Sequence, residues 1–335
     1  MSTAGNINHF CTLFDSNYLS RGITMYESLV DTGAAFHLYV FAFDEKCRQF
    51  LQTADLPHLT VISLLEFEDE ELLKVKPART RAEYCWTSTS STILYCIEKF
   101  NLPACTYLDA DMFFYNDPAV LINEMGNNSV MITEHRYTPH YDKTALSGKY
   151  CVQFVTFKND ERGLTALRWW RNACLEWCYN RHEDGKFGDQ KYLDDWTTRF
   201  EGVHVLQHLG GGLALWNIQQ YSVKEKEDGQ LICTEKATGK TFVPVFYHFH
   251  YLKYYSNGYV ELGRRTITPD VLKHFYVPYL NEMDATKEFV EEYDTGFDPH
   301  GASAMPSGLK QALLKIYRKM RNVYHIYNLK ELMAK

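Results

Sequence analysis

The sequence predicts an α/β fold built on a mainly parallel sheet. Short apolar runs of strand length alternate with stretches of helical periodicity through the first 108 residues, as in a sheet that helices cover on both faces. Two of the runs end in an aspartate, Asp15 and Asp109. Because ligands bind at the carboxyl ends of strands in such sheets, both aspartates are candidates for a functional site.

The predicted elements follow in regular order in the first half of the chain and less regularly in the second. Strands are predicted at 10–14, 36–43, 59–64 and 105–108, and helices at 18–31, 45–53 and 88–100. The second half is predicted to contain a strand at 149–157, a Trp-rich helix at 164–182 and antiparallel strands over 222–249, where Asp228-Gly229 and Thr238-Gly239 are turn signals.

Two smaller patterns lie in the second half. Trp169, Trp170 and Trp177 have helical spacing and are predicted to belong to the core. The run from Gly210 to Gly212 is compatible with an ordinary turn, which is the simpler interpretation, and also with a mobile flap over a ligand.

Composition restricts the class of protein. The chain has 335 residues, 45% of them apolar, and a net charge of −7, which gives no reason to expect nucleic acid as a partner. Nine cysteines without a CxxC pair favour reduced thiols and a cytoplasmic location. We find neither a signal peptide nor an apolar run of 18 residues.

The segment YLDADMFFYNDP, residues 107–118, carries the clearest chemical signal. Asp109 and Asp111 are spaced D-x-D after an apolar run, so on an extended chain both side chains point to the same side. Two buried carboxylates are costly without a partner, and oxygen ligands of this kind suit Mg²⁺ or Mn²⁺. The simpler alternative is a pair of strand-end aspartates that cap a loop.

The same segment resembles the D-x-D signature of GT-A glycosyltransferases, most closely the bacterial lipopolysaccharide galactosyltransferases and glycogenin-like enzymes. Three further motifs agree in order, TLFDSNY at 12–18, GDQKYLDDW at 188–196 and YHFHYLK at 247–253. The resemblance covers residues 10–255. It implies a metal-dependent enzyme that moves a sugar from a nucleoside diphosphate sugar, with UDP favoured, to a glycan or glycolipid acceptor with retention.

The resemblance also implies roles on the nucleotide side. In the TLFDSNY motif, which begins at Thr12, Asp15 would contact the uracil or nearby groups, Asn17 the nucleoside, and Tyr18 would stack on the base. Arg79 or Arg81 would lie near the diphosphate, with a solvated surface position as the alternative for either; we take Arg81 as the candidate.

On the metal and sugar side, His248 is implied as the ligand that completes the metal site with Asp109 and Asp111, and His250 as the second choice. His248 and His250 alternate on a predicted strand and therefore face the same side. Lys253 would hold the diphosphate, Asp189 would bind sugar hydroxyls, and Gln190 would lie near the anomeric carbon. A helix N-cap is the alternative role for Asp189.

The sequence departs from the family pattern at two places. Relatives carry Asn-x-Gly where this chain has YCVQFV at 150–155, and a glycine where it has Tyr251. Both departures concern the acceptor and the anomeric outcome more than donor binding.

The C-terminal region is predicted to be separate from the transferase domain. We place that domain at 1–297, and a linker with a basic amphipathic helix at 298–335. Residues 306–335 carry a net charge of +6, against −13 on the rest of the chain, and apolar positions at 309–327 recur at steps of four and three. This pattern favours peripheral attachment to an anionic membrane surface; a helix docked on its own domain is the alternative.

Two other functions are weighed against sugar transfer. A phosphohydrolase of the haloacid dehalogenase type also ends a strand with D-x-D, but it requires Thr or Val where Phe113 stands. A sugar-nucleotide binding protein without activity would share the donor site.

Overall fold

The computed structural model describes residues 7–293 and 296–334. Its strands are β1 (Asn8–Phe14), β2 (Phe36–Ala42), β3 (Leu59–Ser63), β4 (Ala104–Leu108), β5 (Met112–Phe114), β6 (Val130–Glu134), β7 (Tyr150–Lys158), β8 (Val203–Val205), β9 (Leu213–Ala214), β10 (Tyr221–Glu225), β11 (Leu231–Glu235), β12 (Thr241–Phe242), β13 (Phe246–His248), β14 (Lys253–Tyr255), β15 (Tyr259–Glu261) and β16 (Ile326–Asn328).

The α-helices of the described residues are α1 (Leu19–Asp31), α2 (Glu45–Ala54), α3 (Leu64–Phe67), α4 (Glu70–Val75), α5 (Arg81–Phe100), α6 (Ala119–Glu124), α7 (Thr144–Ser147), α8 (Glu161–Glu176), α9 (Trp196–Arg199), α10 (Pro269–Val271), α11 (Val277–Tyr293), α12 (Leu309–Met320) and α13 (Leu329–Met333). A π-helix, Leu272–Tyr276, joins α10 to α11, and short 3-10 turns include Ser16–Tyr18 and Gln190–Asp195.

The central sheet has seven strands in the order β3-β2-β1-β4-β7-β6-β8. Strands β1 to β4 pair in parallel, and β7 alone runs against its neighbours β4 and β6. The predicted fold class, a mainly parallel α/β sheet with flanking helices and antiparallel additions, is confirmed.

Helices cover both faces of this sheet because its strands are apolar on both sides. Along β1, Cys11 and Leu13 pack with Ile93 of α5 and Trp170 of α8. Phe10 and Phe14 point the other way and pack with residues of α1 and α2. The two layers leave the carboxyl ends of β1 and β4 next to each other at one edge.

The predicted elements of the first half agree with the structure to within one or two residues, except for the helix predicted at 88–100. That helix begins at Arg81 because Thr80 and Glu83 form a reciprocal capping box. The Trp-rich helix also differs from the prediction, since it ends at Glu176, where Trp177 becomes extended. Trp170 and Trp177 are buried, as predicted.

Strands β10 to β12 form the predicted antiparallel sheet, but β13 does not continue it. Instead β13 lies between β5 and β9, antiparallel to β5 and parallel to β9. The sequence signal of alternating apolar residues was the same for both sets of strands, and only the distant partner differs.

The C-terminal region is held by the body at both of its ends. The linker predicted at 298–307 contacts α1 at its start, where Pro299 O accepts hydrogen bonds from the backbone and the hydroxyl of Ser20. Further along, Ser303 N donates to Tyr254 O of β14. At the far end β16 pairs with β15, and Leu332 is buried. The predicted helix over 309–327 ends at Met320, because Asn322 adopts φ +53°. The domain boundary at residue 298 stays a prediction.

Within the described part of the chain, no helix combines the length and the apolar character needed to cross a membrane.

Candidate active site

The end of β4 places both aspartates of the D-x-D pair at the edge of the sheet. Leu108 is fully buried, and the backbone N–H of Asp109 still donates to Gln153 O of the neighbouring β7 at 3.1 Å. After Asp111 the chain enters β5. The backbone carbonyl of Asp111 accepts from Phe249 N at 2.8 Å, which ties this loop to the segment after β13.

The pairing of β5 with β13 brings a histidine to the aspartates. His248 lies opposite Met112 in the antiparallel register. Its Nε2 lies 2.9 Å from Asp111 Oδ1 and 3.6 Å from Asp109 Oδ2. The sequence placed these residues about 140 positions apart, and the sheet brings them into contact.

His250 completes a group that can hold a metal ion. One ligand atom each from Asp111, His248 and His250 lies within 4.8 Å of the others. Asp109 stands beside this group on the more exposed side. A set of carboxylate oxygens and imidazole nitrogens fits Mn²⁺ and, less well, Mg²⁺, which prefers oxygen alone.

Gln153 of β7 fixes the orientation of His248. Its Oε1 lies 2.7 Å from His248 Nδ1, so Nδ1 carries the proton and Nε2 faces the aspartates. Hydrogen bonding of the outer nitrogen to an oxygen is how a metal-binding imidazole is usually held in place. The donor chemistry and this support together fit a divalent cation.

The pKa values of the four groups show how strongly they interact. Burial raises the pKa of Asp109 to about 6; the His248 charge opposes this and the Asp111 charge adds to it. Burial also opposes ionisation of Asp111, but the charge of His248 outweighs it and lowers that pKa to about 2. Burial lowers the pKa of His250 to about 4. Burial opposes the charged form of His248, but the charge and hydrogen bond of Asp111 outweigh it and hold the pKa of His248 well above its ordinary value.

The glycine run forms a buried turn behind the histidines, in line with the simpler interpretation. A side chain at Gly210 would meet Val243 O at 2.2 Å, and one at Gly212 would meet the Gln153 amide at 3.2 Å. The indole of Trp216 lies 5.2 Å from the ring of His248 and 5.7 Å from that of His250. The glycines allow this close packing.

The loop after β1 contains the predicted nucleoside-binding residues. Asp15 Oδ1 accepts from Asn17 N at 2.8 Å and caps the 3-10 turn. Asn17 is exposed, and 41% of the surface of Tyr18 is exposed. Burial raises the pKa of Tyr18 to about 12, and the charge of Asp111 adds to this shift.

Thr12 lies deeper than this loop. It is fully buried in β1, and its hydroxyl has no partner among the described residues.

Arg81 joins this loop to a second carboxylate. It forms an ion pair with Asp15 and another with Asp44 at 2.9 Å. Nε forms the first of these ion pairs and Nη2 the second, and the contact of Arg81 with a diphosphate stays a prediction. The guanidinium carbon of the alternative, Arg79, lies 3.8 Å from the ring centre of Tyr179, and its role stays a prediction.

Asp189 and Gln190 lie in the buried turn after α8. Asp189 makes no side-chain cap hydrogen bond to the 3-10 helix that follows, so the capping role is not observed. Burial raises the pKa of its carboxyl to about 7, and the charge of Asp109 adds to this shift. Gln190 Nε2 donates to Ser147 O at 2.7 Å.

The late motif carries one exposed cation and one unusual backbone conformation. Lys253 is exposed at the start of β14, and its charge contributes to the low pKa of His250. Tyr251 stands where relatives carry glycine, and its φ is +75°. The backbone has kept the left-handed conformation that favours glycine although the side chain has changed.

Three residues of the site were missed in the sequence. Arg21 is buried between Tyr18 and Tyr254, while Gln153 and Trp216 support the histidines. An arginine inside an otherwise apolar helical stretch was a usable signal for Arg21. Nothing local marked Gln153 or Trp216, because their roles depend on strands distant in sequence.

Comparisons with known proteins give the following. No model of a known protein family matches the chain. The structure is similar to the galactosyltransferase LgtC in complex with donor and acceptor sugar analogs, with a TM-score of 0.49 at 10% identity over 83% of this chain and 95% of that chain. It is also similar to mouse xyloside xylosyltransferase 1, with a TM-score of 0.44 at 11% identity over 73% and 98%. Both are glycosyltransferases, the class that the sequence resembles.

Two proteins of Bacillus subtilis (strain 168) are similar in sequence. The uncharacterized protein YfnF is 28% identical over 283 residues, 82% of this chain and 89% of that protein. The uncharacterized protein YfnD is 31% identical over 307 residues, 89% of this chain and 94% of that protein. This protein therefore belongs to the same family as YfnD.

Proposed function

We propose that this protein is a metal-dependent glycosyltransferase that moves a sugar from a nucleoside diphosphate sugar, UDP first among them, to a glycan or glycolipid acceptor. The observation that carries the proposal is the convergence of Asp111, His248 and His250 beside Asp109. The Tyr18 loop follows β1, which pairs in parallel with the strand that precedes Asp109. The metal group and the base-stacking candidate thus occupy neighbouring strand ends, which is the arrangement that a nucleoside diphosphate needs.

We assign one group of residues to the metal and another to the nucleotide. Asp109, Asp111, His248 and His250 would hold Mn²⁺ or Mg²⁺, which when bound stabilises the negative charge of the diphosphate leaving group. Tyr18 stacks on the base, while Asp15 and Asn17 orient the nucleoside. Lys253, exposed beside His250, neutralises a phosphate oxygen.

Asp189 and Gln190 are proposed to contact the transferred sugar. With a pKa of about 7, Asp189 can donate or accept a hydrogen bond to sugar hydroxyls near neutral pH. The Gln190 amide is held by Ser147 O through its nitrogen, which leaves its oxygen to face the anomeric carbon. With retention by front-face attack, the bond from the anomeric carbon to phosphate breaks while the acceptor oxygen bonds on the same face. The acceptor proton passes to the departing phosphate oxygen.

The direct test is UDP release from a panel of nucleotide sugars in the presence of Mn²⁺, with and without excess EDTA. We expect release with at least one donor, and none in EDTA. Release of inorganic phosphate from phosphate esters would indicate a phosphohydrolase instead. Binding of UDP without turnover of any donor–acceptor pair would indicate a binding protein.

The second part of the proposal is attachment to an anionic membrane at the cytoplasmic face. Helix α12 has no buried residue, and Leu309, Leu313, Ile316 and Met320 form an exposed apolar stripe. On the opposite side Arg318 docks on the body, 2.8 Å from the buried Glu261, and donates to Gly263 O. The helix therefore holds the body through a polar side chain and turns its apolar stripe outward.

The charge around the stripe favours an anionic lipid surface. Lys310, Lys315, Lys319 and Arg321 accompany Arg318 on this helix and the turn after it. Each such residue near an anionic surface contributes about 1 kcal/mol, and the apolar stripe adds burial in the interface. A membrane position suits a lipid-linked acceptor.

A further inference from the structure

Arg21 carries a buried charge. It lies in the first turn of α1, and only 4% of its surface is exposed. Its guanidinium donates to two backbone carbonyls, His300 O at 3.0 Å and Leu252 O at 3.1 Å. Within residues 7–293 and 296–334, no carboxylate oxygen lies within 4.0 Å of it. A buried cation in this state is unfavourable unless an anion completes its surroundings.

Tyrosines surround this guanidinium, and two of them have unused hydroxyls. The guanidinium carbon lies 4.4 Å from the ring centre of Tyr18 and 5.7 Å from that of Tyr254. The hydroxyls of Tyr254 and Tyr279 are buried and have no hydrogen-bond partner in the described part of the chain. Burial keeps the pKa of Tyr279 well above its ordinary value, so this hydroxyl is a neutral donor.

This group of donors lies between the two halves of the proposed donor site. Arg21 lies against the rings of Tyr18 and Tyr254, and the carboxylate of Asp111 contributes to its raised pKa. Tyr18 is the proposed base-stacking residue, and Asp111 belongs to the metal group. In a sugar nucleotide the phosphates connect the base to the metal, so they must pass this point.

We propose that Arg21, Tyr254 and Tyr279 form an anion subsite that takes a phosphate oxygen of the donor. The inference rests on the proposed function and adds a cation that is separate from Lys253 and from the metal ligands. The two hydroxyls have no acceptor among the described residues, and the guanidinium beside them has only neutral backbone carbonyls as acceptors. A phosphate oxygen can accept from all three groups, and hydrogen bonds between charged groups are the stronger ones. The subsite also ties the Tyr18 loop to the segment at His300, so that phosphate and base are held by one connected unit.

The test compares ligands that differ in their phosphates, namely UDP, uridine and inorganic pyrophosphate, by calorimetry with Mn²⁺ present. The double variant Tyr254→Phe/Tyr279→Phe removes only the two hydroxyls, and Arg21→Met removes the charge. We expect UDP affinity to fall about tenfold or more in each variant, while uridine affinity stays within about twofold. The matched control is Tyr276→Phe, a buried tyrosine whose hydroxyl lies 3.3 Å from that of Tyr247, and it should change neither.

The outcomes separate this inference from the proposed function. Equal losses for uridine and UDP would mean that Arg21 only holds Tyr18, and unchanged UDP affinity would mean that water satisfies the donors; either result overturns the subsite. If the wild-type protein binds no nucleoside diphosphate, the proposed function fails, and pyrophosphate then decides the subsite alone. A loss of pyrophosphate affinity in the Phe variants supports it, and no such loss, or no binding at all, overturns it. Because the Phe variants keep the packing, they remain informative if Arg21→Met does not fold.

Discussion

The metal group and helix α12 depart from the usual distribution of polar and apolar residues in opposite directions. At the metal group, Asp111 and His248 place charges inside the protein. On α12, Leu309 and Met320 place apolar side chains in solvent, with about 80% of their surfaces exposed. Buried charges and exposed apolar patches are the informative exceptions in a folded protein. For the first we have proposed a cation as the partner, and for the second a lipid surface.

The prediction with the largest expected effect tests the metal group. Asp111→Asn keeps the volume of the side chain but removes the anion that faces His248. We expect turnover to fall at least about 10²–10³-fold, as when an electrostatic contact to the developing charge is lost. Melting temperature and Mn²⁺ affinity measured together show whether the fold survives.

The matched control is Asp270→Asn, an exposed aspartate of α10, which should leave turnover unchanged. Normal kinetics in the Asp111 variant, together with activity in EDTA, would contradict the metal site.

The next prediction tests whether the apolar stripe of α12 binds a lipid surface. Leu313→Gln with Ile316→Gln removes apolar area without adding repulsive charge. Burying each of these side chains contributes about 1.5–3 kcal/mol, so binding to anionic liposomes should fall about 100-fold or more. Turnover with a soluble acceptor should not change.

The control for the tail is Leu65→Gln, since Leu65 is a highly exposed leucine on α3. Deleting residues 306–335 is a poorer experiment, because it also removes β16 and the buried Leu332. Liposome binding that survives the double substitution would place the anchor elsewhere.

The third prediction tests whether Tyr18, in the loop beside the metal group, stacks on the base of the nucleotide. Tyr18→Ala should weaken UDP binding by about 1–3 kcal/mol, the usual contribution of base stacking. Tyr18→Phe keeps the aromatic face and should bind UDP nearly as well as the wild type. Equal calorimetric affinities for the Ala variant and the wild type would exclude stacking.

The smallest effect concerns the support of His248. Gln153→Leu removes the acceptor at Nδ1 and should weaken Mn²⁺ binding about tenfold, the lower end for residues that orient a ligand. Gln153→Glu restores an acceptor and should recover most of this affinity, whereas Gln49→Leu, at an exposed position of α2, should have no effect. If Leu and Glu at position 153 behave alike, Gln153 does not orient the histidine.

The sequence predicted those parts of the molecule that local patterns determine. Apolar periodicity was sufficient for β1 to β4, and the D-x-D spacing was sufficient for the pair at Asp109. It failed where contacts between distant segments decide. The missed contacts join residues about 95 or more positions apart. They are the pairing of β13 with β5, the hydrogen bond of Gln153 to His248, and the hydrogen bond of the buried Arg21 to Leu252 O. The site roles of the remaining predicted residues stay predictions.

The attachment of the C-terminal region at both ends has a consequence for the orientation of the enzyme. Pro299 is held on α1, Ser303 on β14, and β16 on β15, so the segments before and after α12 are both attached to the body. A twelve-residue helix is only about 18 Å long. Because the segments on both sides of it are attached to the body, α12 can neither move far from the body nor rotate freely. If α12 lies flat on a bilayer, the body must follow at a fixed height and tilt. The active-site opening would then meet only acceptors that extend a set distance from the lipid.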